Sequence, residues 1–234
     1  SQTETEKTHI ASAFTFELSK VETPEIRARI VSHLLNVDED LARTVADKLR
    51  LKPMPKAAPP AMAPKELKES PKLSILLNGP DSFKGRKVGV LVTDGVEIDL
   101  VTGLKAAIED EGALIEFVAP HVGGVEASDG TWIEAKQMID GGPSVLYDAV
   151  AVLTSSDGAE KLAKESTAKD FVNDAFAHCK FVAYCEEAMG LFNATGTDPD
   201  DGFTDLRKSG DAKAFIKACR KLRYWAREPK VNAV

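Results

Sequence analysis

Residues Lys87–Leu100, KVGVLVTDGVEIDL, decide the fold. Val88-Gly89-Val90-Leu91-Val92 is an unbroken apolar run, as expected of a strand covered on both faces. Thr93-Asp94-Gly95 turns the chain. The spacing then predicts a helix from about Glu97 to Glu111, stopped at Gly112 by a left-handed residue. The same alternation recurs downstream. Leu114 to Ala119 reads as a second strand. Gly123-Gly124 and Ser128-Asp129-Gly130 signal turns around a hairpin ending near Trp132-Ile133. Ala149 to Leu153 reads as another buried strand, closed by Thr154-Ser155-Ser156-Asp157-Gly158. A helical pattern follows with Phe171, Ala175 and Phe176 on one face. Phe181 to Tyr184 reads as a further strand leading into a short helix. After the acidic turn Asp198-Pro199-Asp200-Asp201-Gly202, a final helix is expected through Phe215, Cys219 and Leu222. Strands separated by crossover helices imply an α/β fold, a doubly wound parallel sheet with helices on both faces.

Upstream the pattern changes. Thr23-Pro24-Glu25 has the composition of a helix start, with a capping hydroxyl, a proline in the first turn and an acidic residue at the positive end of the dipole. Ile26, Ile30 and Leu34 recur at helical spacing. Asp38 can cap a second helix carrying Leu41, Val45 and Leu49. The expectation is a helical hairpin over residues 1–51 whose apolar stripe, Ile26, Ile30, Leu34, Leu41 and Val45, needs something to pack on. Pro53, Pro55, Pro59, Pro60 and Pro64 then prevent regular structure and favour extended conformations. Residues 52–71 are expected to be a linker, and 72–234 the sheet domain.

Composition narrows the class. With 43% hydrophobic and 29% charged residues the chain can build a core, which excludes a wholly disordered polypeptide. No apolar run approaches the roughly 20 residues of a membrane span. No signal peptide is expected in the polar Ser1–Thr8; an already-processed one stays open, as does the compartment, cytoplasmic or secreted. A net charge of −7 gives no general attraction to nucleic acid or anionic membrane. Residues 71–204 hold 10 basic and 23 acidic side chains, whereas Asp205–Lys230 holds nine basic and three acidic. A basic terminal helix on an acidic body is expected to dock on its own domain or a partner subunit rather than on nucleic acid. Three cysteines form no paired framework, and no Cys/His spacing resembles a metal site. Cys179 and Cys219 fall in helical patterns and read as small buried apolar residues.

A doubly wound sheet places sites at the carboxyl ends of its strands. The 93–97 loop offers Asp94, Glu97 and Asp99, either for acid–base work or as negative charge at a helix N-terminus. It lacks the Gly-x-Gly-x-x-Gly run of dinucleotide sites. The 154–158 loop is rich in hydroxyls, but Asp157 competes with an anion for its amides. Tyr184-Cys185-Glu186-Glu187 places a thiol between strand and helix. Glu186 and Glu187 raise its pKa, and the available base is His121 in the loop after the second strand. An unreactive Cys185 is expected.

KVGVLVTDGVEIDL, YDAVAVL (Tyr147–Leu153) and KFVAYCEEAMGLF (Lys180–Phe192) together resemble the DJ-1/PfpI superfamily, whose flavodoxin-like sandwich is related to class I glutamine amidotransferases. In that family the last segment reads strand, Cys, His-Gly. Aligned from Lys180 without a gap, the family cysteine falls on Glu186; shifted by one, it falls on Cys185. The His-Gly is missing, and the family's Gly-Gly is replaced by Ser155-Ser156. The resemblance therefore implies a vestigial pocket of Asp94, Glu97, Ser155, Cys185 and Glu186 with no catalytic residue. The alternative is a cysteine-dependent hydrolase or glyoxalase using Cys185 with Glu97 or His121.

The stretch His9–Leu51, HIASAFTFELSKVETPEIRARIVSHLLNVDEDLARTVADKLRL, is similar to the end of the helical region of a large-subunit (clade 2) haem catalase. Leu73–Gly95, LSILLNGPDSFKGRKVGVLVTDG, is similar to the junction where such catalases enter a carboxyl-terminal DJ-1/PfpI-like domain. This resemblance implies a parent that converts hydrogen peroxide to water and oxygen on haem, with no haem and no metal in the present residues. Arg220 and Tyr224 share an Arg-x-x-x-Tyr spacing with haem-binding helices, a coincidence because they lie in the wrong domain. The partners implied are the catalase core and neighbouring subunits of a tetramer. The apolar helical stripe would let the isolated chain hold unfolded client proteins as an ATP-independent chaperone.

Overall fold

The computed structural model describes residues 2–65, 67–207 and 210–231. The chain divides into two compact units with the boundary between Asn78 and Gly79.

Among its described residues the first unit has three α-helices rather than the expected two: α1 (Glu4–Ser19), α2 (Pro24–Leu34) and α3 (Glu39–Lys48). α1 starts with a reciprocal cap. The Thr3 hydroxyl accepts from the Glu6 amide, and the Glu6 carboxylate accepts from the Thr3 amide at 2.8 Å. Asp38 caps α3 by accepting from the Leu41 amide at 2.9 Å. Ala11 and Leu18 of α1 meet Val31 and Leu34 of α2 and Ala42, Val45 and Ala46 of α3 in a small core. This corrects the orphaned stripe. Leu34 and Val45 are buried, Ile30 and Leu41 are half-buried against the same core, and only Ile26, 41% exposed, faces outward.

The proline-rich segment is not a free tether along its whole length. Leu51 and Met54 pack on the helices, the Ala58 amide donates to Ser32 O at 2.9 Å, and Asn36 Nδ2 donates to Ala58 O at 2.7 Å. Beyond it, a 3-10 turn at Pro71–Leu73 and residues up to Asn78 return to the helical unit, so the boundary lies past the expected residue 71.

The second unit is built on a six-stranded sheet in the order β5-β2-β1-β6-β7-β8. Its strands are β1 (Lys87–Val92), β2 (Leu114–Ala119), β5 (Gln137–Met138), β6 (Ala149–Leu153), β7 (Val182–Tyr184) and β8 (Phe203–Asp205), all paired parallel. β6 is buried throughout and β1 from Val88 onward, which requires cover on both faces. One group of covering helices is α4 (Ile98–Asp110) with α8 (Asp211–Cys219). The other is α5 (Ser156–Leu162), α6 (Ser166–Ala177) and α7 (Met189–Thr195). β3 (Gly123–Glu126) and β4 (Trp132–Ala135) form a separate antiparallel hairpin. A last turn of helix, α9 (Glu228–Val231), closes the described chain.

The basic helix α8 docks on its own domain, against α4, β7 and β8. It ends at Cys219, so Leu222 lies beyond it with a positive φ of 66°. Cys179 likewise follows α6 instead of lying inside it, at φ 53°, and both cysteines are buried.

Candidate functional site

β1 is flanked by β2 on one side and β6 on the other, so successive crossovers leave it in opposite directions. The carboxyl ends of β1 and β6 are the switch point of the sheet, where open α/β domains form their crevice. A cleft of about 680 Å³ opens there, lined by the 93–95 turn, Pro120 and His121 after β2, Ser155–Gly158, and Lys161, Leu162 and Glu165.

Its walls are tied to one another. The buried Thr93 hydroxyl accepts from the Ser155 amide at 3.0 Å. Ser155 Oγ donates to Asp94 O at 2.6 Å and accepts from the Gly158 amide at 3.1 Å, capping α5. Gly158 sits so close to Thr93 that any side chain there would collide with the threonine hydroxyl. The hairpin joins in: Gly95 donates to Glu126 O at 2.8 Å, Glu126 donates to Asp94 Oδ1 at 2.9 Å, and Ser128 donates to Val96 O at 2.9 Å. Asp94 is thus held by a hairpin amide and does not cap α4.

The residues expected to share a pocket are not brought together. Asp94, Ser155 and His121 line the cleft. Glu97 is the exposed N-cap residue of α4, and its side chain accepts no capping bond. Cys185 and Glu186 sit at the end of the neighbouring strand β7, and neither is among the cleft's lining residues. The Cys185 amide continues the ladder one residue past β7, donating to Val152 O at 3.2 Å, which turns its side chain inward. Its sulfur accepts from the Thr154 amide at 3.2 Å and donates to Thr154 O at 3.3 Å. Burial pushes this thiol above its ordinary pKa. Its backbone, at φ −101° and ψ 160°, is ordinary extended chain. Among the described residues, positive φ outside glycine occurs only at Arg50, Cys179 and Leu222, so neither Cys185 nor Glu186 forms a strained elbow. A 3-10 turn at Glu186–Ala188 relaxes the passage into α7.

The cleft holds no nucleophile paired with a base. Among the described residues no three His, Cys, Asp or Glu side chains converge as a metal site would require. Arg220 and Tyr224 are each engaged within the sheet unit. Arg220 is engaged by both oxygens of Glu111 at 3.0 and 2.6 Å, and Tyr224 packs edge-on against Phe181 at 6.2 Å.

Two buried cations escaped sequence reading. The fully buried Arg227 grips both Asp200 oxygens at 2.9 and 2.8 Å and donates to Lys180 O at 2.7 Å. Phe176, Phe203 and Tyr224 surround its guanidinium at 4.8 to 5.4 Å. Lys180, 2% exposed, donates to Ser144 O and Tyr147 O, and burial lowers its pKa to about 8. Lysine and arginine beside a turn read as solvated in a sequence, so nothing local marked them.

The class is a parallel α/β sheet domain with a cleft at its switch point, preceded by a helical unit. Sequence comparison supplies the family. Residues 84–229 match the C-terminal domain found in long catalases, and residues 1–49 match the catalase-related immune-responsive family. The chain belongs to the family of long-catalase C-terminal domains. It is 51% identical over 235 residues to Catalase C of Rhizobium meliloti, covering 99% of this chain and 33% of that protein. It is 37% identical over 240 residues to Catalase HPII of Pseudomonas putida, covering 100% and 33%. Catalase-B of Dictyostelium discoideum is 33% identical over 244 residues, covering 100% and 34%. The chain spans about a third of the length of these relatives.

Proposed function

We propose that the chain is a non-catalytic accessory region of a long catalase. The complete polypeptide would convert hydrogen peroxide to water and oxygen on a haem bound outside these residues, as a tetramer. In this reading the sheet unit is a flavodoxin-like domain of DJ-1/PfpI ancestry whose pocket no longer carries chemistry, and whose role is to stabilise the catalase. The observation that supports it is Cys185: the one thiol at a strand end is buried, bonded to the Thr154 backbone and not among the residues lining the cleft. The cysteine-hydrolase alternative would need Cys185 to reach the cleft that His121 lines.

The test is alkylation of the folded chain near neutral pH, followed by peptide mass spectrometry. Cys185 is expected to react no faster than Cys179 and Cys219, all three being buried. Rapid labelling of Cys185 alone, together with turnover of a reactive aldehyde lost in Cys185→Ser, would overturn the reading.

The isolated chain is also proposed to be an ATP-independent holdase. Support comes from large apolar side chains left in solvent in the helical unit, among them Phe16 at 62% and Val37 at 75% exposure. Light scattering of a heat-aggregating client at near-stoichiometric ratio is expected to fall in its presence. Unchanged scattering removes the chaperone role while leaving the accessory role intact.

A further inference from the structure

The turn at residues 71–78 is built the wrong way round for a free surface loop. Two of its polar side chains tie the turn to its own backbone. Ser74, 5% exposed, accepts from the Leu76 and Leu77 amides at 3.2 and 3.3 Å. Asn78 Nδ2 donates to Pro71 O and Ser74 O at 2.7 and 2.8 Å. Its apolar side chains face water: Leu73, Ile75, Leu76 and Leu77 are 60%, 43%, 45% and 70% exposed. The turn is also fastened. Glu6, buried in the N-terminal cap of α1, accepts from the Ile75 amide at 2.7 Å, so one carboxylate holds both the helix start and the turn. A hydrogen-bonded scaffold presenting four aliphatic side chains outward fits a surface that is covered in the working protein.

Size selects the occupant. The four side chains expose on the order of 350 Å², less than half of the roughly 800 Å² per partner that a stable interface between free proteins buries. That area is too small to hold a second copy unaided. It suffices for a segment already tethered in the same polypeptide, where the effective concentration is of millimolar order. The turn lies between the two family-matched stretches, outside both, and Glu6 latches it to the catalase-related helices. The relatives have about three times the length of this chain, so most of each lies outside the matched region.

We propose that Leu73, Ile75, Leu76 and Leu77 are a docking surface for the catalytic part of the chain's own long catalase. This rests on the accessory-region reading and goes beyond it by naming the surface and its occupant. The isolated chain would hold clients by the same face because its normal cover is missing.

The experiment uses the complete long catalase with Leu76 replaced by the photo-cross-linking residue p-benzoylphenylalanine. Illumination is expected to give peptides joining residue 76 to the same subunit outside residues 1–234, without doubling the subunit mass. The yield is expected to fall several-fold in Glu6→Ala. A doubled mass, links confined to residues 79–231, or no links at all overturn the docking. Any of these in a chain that still dismutates peroxide sinks the docking alone, whereas a complete chain without peroxide turnover sinks the reading beneath it.

Discussion

The helical unit and the sheet unit bury their apolar residues by different strategies. The sheet unit threads continuous aliphatic strands through its middle, covers both faces with its own helices, and closes with a fully buried Arg227. The helical unit has a core of seven buried side chains, three of them alanines, and leaves Phe16, Val37 and the Leu73–Leu77 turn outside. The sheet unit exposes apolar residues too, Val122 and Trp132 among them, but against a far larger core; the three-helix cluster has little core to spare, and each outside contact weighs more on its stability. The difference teaches where to look for partners, namely on the half with the smaller core.

The largest effect expected is at the closure of the sheet unit. Arg227→Ala leaves Asp200 and the Lys180 carbonyl buried without their cation, which costs about 3–5 kcal/mol. Both tryptophans, Trp132 and Trp225, lie in the sheet unit, so tryptophan fluorescence in urea reports that unit alone. A large midpoint shift with unchanged helical content of the first unit is expected. If both units unfold together in the variant, they are not thermodynamically separate and the contrast fails.

A smaller effect is expected in the helical unit. Leu34→Ala removes a buried side chain from a core small enough to collapse around the gap, and about 2 kcal/mol is expected. In the complete catalase the loss should shrink if a partner covers this unit. Equal losses in the isolated chain and in the complete protein would show that the helical unit stands on its own.

The parts legible in the sequence were those whose pattern is local. β1, β2, β6 and the Gly112 stop announce themselves because an apolar run or a left-handed glycine carries its own reason. β5 and β8 are two and three residues long and exist because a neighbouring strand offers them an edge, which no local pattern encodes. α1 was missed because Phe16, its exposed aromatic, breaks any single apolar face that Ala11 and Leu18 would define. Of the candidate site, Asp94 and Ser155 were legible from strand ends alone. Glu97 and Cys185 stand at the helix start and strand end where the sequence reads them, but their absence from the cleft's lining was not legible, because side-chain direction depends on where the strand ladder stops, and β7's ladder runs one residue further than its sequence suggests.

The smallest expected effect separates two roles of one carboxylate. Thr3→Ala deletes the hydroxyl that caps α1, at about 1 kcal/mol, and leaves the Glu6 carboxylate free to keep the Ile75 amide. Glu6→Ala deletes both links. Hydrogen exchange at Ile75 should therefore stay protected in the first variant and lose protection in the second. Acid provides an independent route to the same state. Thr3 and Ile75 backbone amides hold the Glu6 carboxyl below its ordinary pKa, so the folded unit binds its proton less readily than the unfolded chain. The stabilisation is complete above the ordinary glutamate pKa and is lost as pH falls through the depressed one. Protection at Ile75 should fade over that acid range in the parent chain and be pH-independent in Glu6→Ala. Equal loss in Thr3→Ala and Glu6→Ala would mean that the turn is held by the helix start as a whole and not by the carboxylate, leaving the outward leucines on a looser support than their hydrogen bonds suggest.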